Sequence, residues 1–117
     1  MEVHNGLKNL LPEVGAMAKL KNLVLQSSKI KTLPPEIGDL LNLEKLVVQG
    51  EQFKAIPRQI GNLCNLKILH LSGTKIRILP SEIENYTNLE ELVVGGVSAL
   101  PEGIGKLKHL KKLSRSE

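Results

Sequence analysis

Few side chains in this 117-residue chain carry acid–base, nucleophilic or metal-binding chemistry: three histidines, one cysteine and twelve carboxylates. His4, His70 and His109 are far apart, and no two have the close spacing of paired metal ligands. A nucleophilic cysteine needs an adjacent base, and none recurs near Cys64. Glu90 and Glu91 are neighbours, but on a strand they point to opposite faces and cannot act on one substrate. The Ile-Gly pairs at Ile37-Gly38, Ile60-Gly61 and Ile104-Gly105 recur as structure, and no glycine-rich phosphate loop accompanies them. The residues therefore point to no catalytic site, no cofactor and no metal, and the chain reads as not an enzyme.

Composition narrows the class further. The chain is 41% hydrophobic but only 2% aromatic, with a net charge of +4. No apolar run is long enough to span a membrane. The start Met1-Glu2-Val3-His4-Asn5 lacks the apolar stretch of a signal peptide. One cysteine rules out an internal disulfide framework, and together these features indicate a cytoplasmic protein. Basic residues gather near the end at Lys106, Lys108, Lys111, Lys112 and Arg115, a charge run that reads as a solvated face. Without an aromatic stacking platform beside it, nucleic acid is not an expected partner.

The elements that carry these residues repeat. Leu20, Leu43, Leu66 and Leu89 each open a near-copy of one phrase at 23-residue intervals, and Leu110 opens another 21 residues on. Such a period means a stack of supersecondary units. Each copy begins with alternating apolar residues, Leu23/Leu25, Leu46/Val48, Leu69/Leu71 and Leu92/Val94, the pattern of a short strand with one buried face. A second anchor follows at Ile30, Phe53, Ile76 and, arriving early, Val97. Then Leu33-Pro34, Ile56-Pro57, Leu79-Pro80 and Leu100-Pro101 end the extended stretch, because proline lacks an N–H and suits the first turn of a helix. Ile37/Leu40, Ile60/Leu63, Ile83/Tyr86 and Ile104/Leu107 give a helical or 3₁₀ turn one inward face. Gly38, Gly61 and Gly105 allow close backbone packing there; Glu84 stands in their place in the third copy. Cys64 falls at the position of Leu41 and Thr87, after the turn, and reads as passive.

One unit cannot bury its own leucines. At about 1.5–3 kcal/mol per buried aliphatic side chain, stacking is what offsets chain entropy. The expected fold is an α/β solenoid with a parallel sheet on the concave face and short α or 3₁₀ segments on the convex face. Residues 1–117 form a single domain of about five repeats, the first and last partial and without clear caps. The first copy enters in mid-repeat, where Leu11-Pro12, Val14, Gly15 and Met17 align with later turns.

These phrases resemble the leucine-rich repeat family, specifically its 23-residue class with LP-x-x-IG, over about residues 7 to 113. Plant intracellular immune receptors and Ras-pathway or cell-polarity scaffolds share that class, and Leu71 to Ile83 (LSGTKIRILPSEI) is most similar to the plant proteins. The family usually has Asn or Cys at the ninth repeat position; Ser28, Glu51 and Thr74 occupy it here. The hydroxyls of Ser28 and Thr74 are expected to accept from loop N–H groups, whereas Glu51 leaves its loop looser or turned outward. Asn42, Asn65 and Asn88 are expected to form turns by bonding their own backbone, and Gly95-Gly96 to make a tight turn with positive φ.

Strand geometry then sets the candidate site. Repeat positions three, five and seven project from the concave face. The first column is Asn22, Lys45, Ile68, Glu91 and Lys112; the middle is Val24, Val47, His70, Val93 and Ser114; the third is Gln26, Gln49, Ser72 and Gly95. An exposed apolar strip with a polar rim suits a protein partner. The resemblance implies a protein–protein interaction module, the ligand-sensing or autoinhibitory segment of an immune-receptor-like protein or a signalling scaffold. Its partner would be another protein or another domain of the same chain. The competing class is a structural repeat that self-associates through uncapped ends.

Overall fold

The computed structural model describes residues 2–3, 16–26, 29–71, 74–76, 79–86, 88–95 and 102–116. Strands β1 (Glu2–Val3), β2 (Asn22–Gln26), β3 (Lys45–Gln49), β4 (Ile68–Leu71), β5 (Glu91–Gly95) and β6 (Lys112–Ser116) form one sheet in sequence order. Every neighbouring pair is parallel and in repeat register, so Leu23 lies beside Leu46, Leu46 beside Leu69, and Leu69 beside Leu92. β1 gives the first copy a strand, where the sequence suggested entry in mid-repeat. Two residues are too short to show an apolar alternation. The segment 11–15 aligned with later turns lies outside the described residues.

Alternation has the predicted result. Leu23, Leu25, Leu46, Val48, Leu69, Leu71, Leu92 and Val94 are all buried, as are Ile30, Phe53 and Ile76 behind them. Val97 and Leu100-Pro101 lie outside the described residues. On the far side, 3₁₀ turns run over Pro35–Asp39, Arg58–Asn62, Ser81–Asn85 and Glu102–Lys106. Pro34, Pro57 and Pro80 hold the extended backbone just before three of them. Their carbonyls accept the first turn bonds, from Ile37, Ile60 and Ile83 N–H at 3.0, 3.1 and 3.2 Å. Proline thus stops strand pairing and starts the turn in one residue. With strands on one side and turns on the other, the stack is a curved solenoid.

The turns pack through a small residue at each joint. A Cβ on Gly38 would come within 2.7 Å of the Gln59 carbonyl oxygen, and one on Gly61 within 2.5 Å of Glu82 Cβ. At the third joint the roles are exchanged: Glu84 replaces the glycine, and Gly103 replaces the glutamine or glutamate it faces. A Cβ on Gly103 would collide with the Glu84 carboxylate, which instead accepts a hydrogen bond from the Gly103 N–H at 3.1 Å. Gly105, beyond the last joint, faces open space.

Other polar groups also reach between copies. Asn42 Nδ2 donates to the Ala18 carbonyl at 2.8 Å, and Asn65 Nδ2 to that of Leu41 at 2.9 Å. These asparagines therefore tie each copy to the one before it and do not close turns on themselves. Thr32 likewise donates across the joint to the Ala55 carbonyl at 3.1 Å. Thr74 Oγ1 donates to the Leu71 carbonyl at 2.9 Å, where an accepting hydroxyl was expected, because the strand ends there with a carbonyl to satisfy. Glu51 is exposed, in keeping with an outward loop, and Phe53 two residues on is fully buried. Gly95 is the last residue of β5, paired with Ser116, so the expected turn does not begin there. Ser28 and Gly96 lie outside the described residues.

Tyr86 takes the place of Leu40 and Leu63 in the third copy, and its hydroxyl donates to the Ile60 carbonyl inside the core. Burial pushes its pKa well above the ordinary 10.0. The unfolded chain releases this proton near pH 10 while the folded chain retains it, so stability falls as pH rises above that value. As Tyr86 is the sole tyrosine, tyrosinate absorbance is expected to appear only together with loss of the circular dichroism signal. Two substitutions test the joints by chemical denaturation. Gly61→Ala is expected to cost about 1–3 kcal/mol, whereas Gly105→Ala leaves stability unchanged or slightly raised. Gly103→Gln should likewise destabilise, and Glu84→Gly in the same chain should restore most of the loss, a coupling measured by a double-mutant cycle.

Candidate protein-recognition face

Parallel pairing assembles the first two predicted columns and the start of the third. Asn22 pairs with Lys45, Lys45 with Ile68, Ile68 with Glu91, and Glu91 with Lys112. Val24 pairs with Val47, Val47 with His70, His70 with Val93, and Val93 with Ser114. Gln26 pairs with Gln49; Ser72, the next member of that column, lies outside the described residues. The strand side chains that leave the core at these positions do so because their neighbours at repeat positions four and six are buried.

The strip is less open than the alternation suggests. Val24, Ile68, His70 and Val93 are half-buried, and Val47 at the centre is only 8% exposed. Adjacent strands are about 4.8 Å apart, so β-branched side chains in one column cover each other. Val47, with Val24 on one side and His70 on the other, is covered most. The apolar centre is therefore a shallow floor with Ile68 at its margin.

Polar side chains form rungs across this floor that single-copy reading missed. Gln26 Nε2 donates to Gln49 Oε1 at 2.9 Å, and His70 Nε2 lies 3.2 Å from Glu91 Oε2. The first could have been found from identical residues at one repeat position. The second runs diagonally from the middle column to the first, which a column-by-column alignment does not bring together. Both rungs fix side chains that would otherwise lose rotamer freedom on binding.

Beside the floor, at the entry to each strand, repeat position two holds Lys21, Glu44, Lys67, Glu90 and Lys111. The sign alternates at every step, and Lys67–Glu44 and Lys111–Glu90 pair at 3.9 and 3.6 Å. Such exposed pairs contribute about 0–1 kcal/mol each, but alternation removes the repulsion that stacked like charges would bring. The same row contains a repeated backbone device, in which the carbonyls of Lys21, Glu44, Lys67 and Glu90 each accept two successive N–H groups of the next copy.

Among the described residues, no group of three or more His, Cys, Asp or Glu side chains is placed to hold a metal ion, and no helix is long and apolar enough to cross a membrane. Cys64 is exposed on the turn side, away from the columns. The burial difference within the floor makes one prediction. Val47→Asp, which places a carboxylate in a covered position, is expected to lower stability by about 2 kcal/mol or more. Ile68→Asp should cost less than about 1 kcal/mol. Urea denaturation of the two variants checks the difference.

The chain matches the family of leucine-rich repeat regions over residues 2–114. No curated protein matches it in sequence. Among solved structures it is similar to a leucine-rich repeat protein of Leptospira interrogans, at 33% identity and TM-score 0.81, over 96% of this chain and 29% of that one. It is similar also to the leucine-rich repeat domain of the type III effector XopL, at 28% identity and TM-score 0.88, over 97% of this chain and 44% of that one. A third likeness is to the leucine-rich repeat ectodomain of the receptor kinase SOBIR1 from Arabidopsis thaliana, at 25% identity and TM-score 0.74, covering 97% and 66% of the two chains. The chain thus spans less than half the length of the first two. With its in-register stack and a family match over nearly its whole length, the chain belongs to the leucine-rich repeat family, whose members are protein–protein interaction modules.

Proposed function

We propose that the concave face docks a protein partner, or another domain of the same polypeptide, through the floor formed by Val24, Val47, Ile68, His70 and Val93. The observation that supports this reading is the arrangement of that floor. A largely apolar strip, half-buried at Val24, Ile68 and Val93, buried at Val47 and broken by His70, crosses four strands, rimmed by Lys45, Glu91 and the Gln26–Gln49 rung. An interface core of this kind needs little charge at its centre and polar groups at its margin. Asn22 and Lys112 extend the rim.

Within the family, the 23-residue phrases with their Leu-Pro and Ile-Gly pairs favour the LP-x-x-IG class. The wording from Leu71 to Ile83 favours a sensing or autoinhibitory segment of a cytoplasmic immune-receptor-like protein over a signalling scaffold. A nucleotide-binding domain encoded upstream in the same reading frame would agree with that assignment; a different upstream domain would overturn it. The chain itself acts by binding and not by catalysis.

The concave-face reading has a direct test. Ile68→Asp combined with Val93→Asp should leave the fold intact by circular dichroism and abolish capture of a stoichiometric partner from lysate. Undiminished capture overturns the reading.

A further inference from the structure

We propose that residues 29–32, 50–55 and 74–76, beyond the ends of β2, β3 and β4, form a second docking surface, chemically suited to an acidic, extended polypeptide segment. Lys29, Lys31, Lys54 and Lys75 are all exposed on these loops. The backbone ties these loops together: Lys54 N–H donates to the Lys31 carbonyl at 3.0 Å, and Lys75 N–H to the Phe53 carbonyl at 2.8 Å. Lys31 and Lys54 occupy one repeat position, which Arg77 continues in the next copy, outside the described residues. Lys29 and Lys75 occupy another, two residues earlier.

The contrast with the opposite end of the strands is what gives the stripe its meaning. There, position two alternates Lys, Glu, Lys, Glu, Lys, and carboxylates pair with the lysines beside them. Here the sign does not alternate, and none of Lys31, Lys54 and Lys75 forms an ion pair with a described residue. Stacked like charges disfavour the folded stack, and a bound anionic partner relieves that repulsion. Among residues 29–32, 50–55 and 74–76, Glu51 is the one carboxylate, and it too is exposed.

The surroundings select the class of partner. Phe53 and Tyr86, the only aromatic side chains of the chain, are buried, so the stripe has no platform on which bases could stack. Among the described residues, the exposed large apolar side chains Met17, Leu41 and Leu113 are on other segments, and none lies beside the lysines to enter a bilayer. A line of charge one or two residues wide, flanked by the small exposed residues Thr32 and Ala55, matches an extended acidic chain laid across the repeats. This surface is separate from the concave floor, and its test is independent of that reading.

The test uses the whole chain and a fluorescently labelled oligoglutamate peptide, with binding followed by anisotropy at several salt concentrations. Removing Lys31, Lys54 and Lys75 together as Gln should weaken binding about tenfold or more, while Glu51→Gln strengthens it. The control variant, Lys19→Gln with Lys106→Gln and Lys108→Gln, removes the same charge elsewhere and should leave affinity within about twofold. Circular dichroism establishes that each variant is folded, and the single change Lys54→Gln gives the same direction of effect should the triple variant unfold. Equal weakening by the two triple variants would mean that net charge alone attracts the peptide and would overturn the proposal. Tighter binding of single-stranded polyuridine or of phosphatidylserine vesicles than of the peptide would overturn it as well.

Discussion

Parallel strands in this stack sit one hydrogen-bond width apart, about 4.8 Å, and every other feature must be compatible with that spacing. A side chain at a given repeat position has its own counterpart as its nearest neighbour on both sides. Leucine and isoleucine tolerate this, since each fills the gap left by the last, and the core from Leu23 to Val94 is buried throughout. Stacked like charges repel at this distance, and along Lys21, Glu44, Lys67, Glu90 and Lys111 the signs alternate. On the turn side the copies approach closely enough that only one side chain fits where two meet, so one of the two facing residues is glycine. The repeat is thus a set of solutions to close stacking.

That constraint explains which parts of the structure were legible from sequence. Strand positions, turn positions and the columns of the concave face follow from period-two alternation and from proline placement, both of which act within one copy. The misread residues act between copies. Asn42 and Asn65 looked like turn formers because their partners, the Ala18 and Leu41 carbonyls, are supplied by the preceding repeat. Val47 looked exposed because alternation tells which face a side chain takes, not how far Val24 and His70 cover it. Glu84 looked like a lapse in the pattern until Gly103 was seen opposite it. Aligning each copy against its successor, rather than all copies against one consensus, would have exposed that last pair.

The two faces at the ends of the strands differ in kind as well as in charge. The floor of the concave side is apolar and stiffened by the Gln26–Gln49 and His70–Glu91 rungs, which suits a partner recognised by shape. Lys31, Lys54 and Lys75 offer long exposed side chains, which on the proposal above suit a partner recognised by charge. On the two proposals above, the module would hold a folded domain on one side and an acidic tail of that domain, or of another protein, along the edge. Two weak attachments of this sort reinforce each other when they belong to one partner.

The exchanged glycine makes the copies keyed to one another. A third copy transposed to sit before the second would set the Glu84 side chain against Gln59, with no glycine on either side of the joint. Duplication of the second copy alone would create only joints of the glycine-first kind, which the stack already contains. Lengthening of such an array by unequal crossing-over is therefore open at some joints and closed at others. The third copy can therefore be followed only by a copy that has glycine where Gly103 stands, whereas the fourth, bringing its own glycine, fits after any of them.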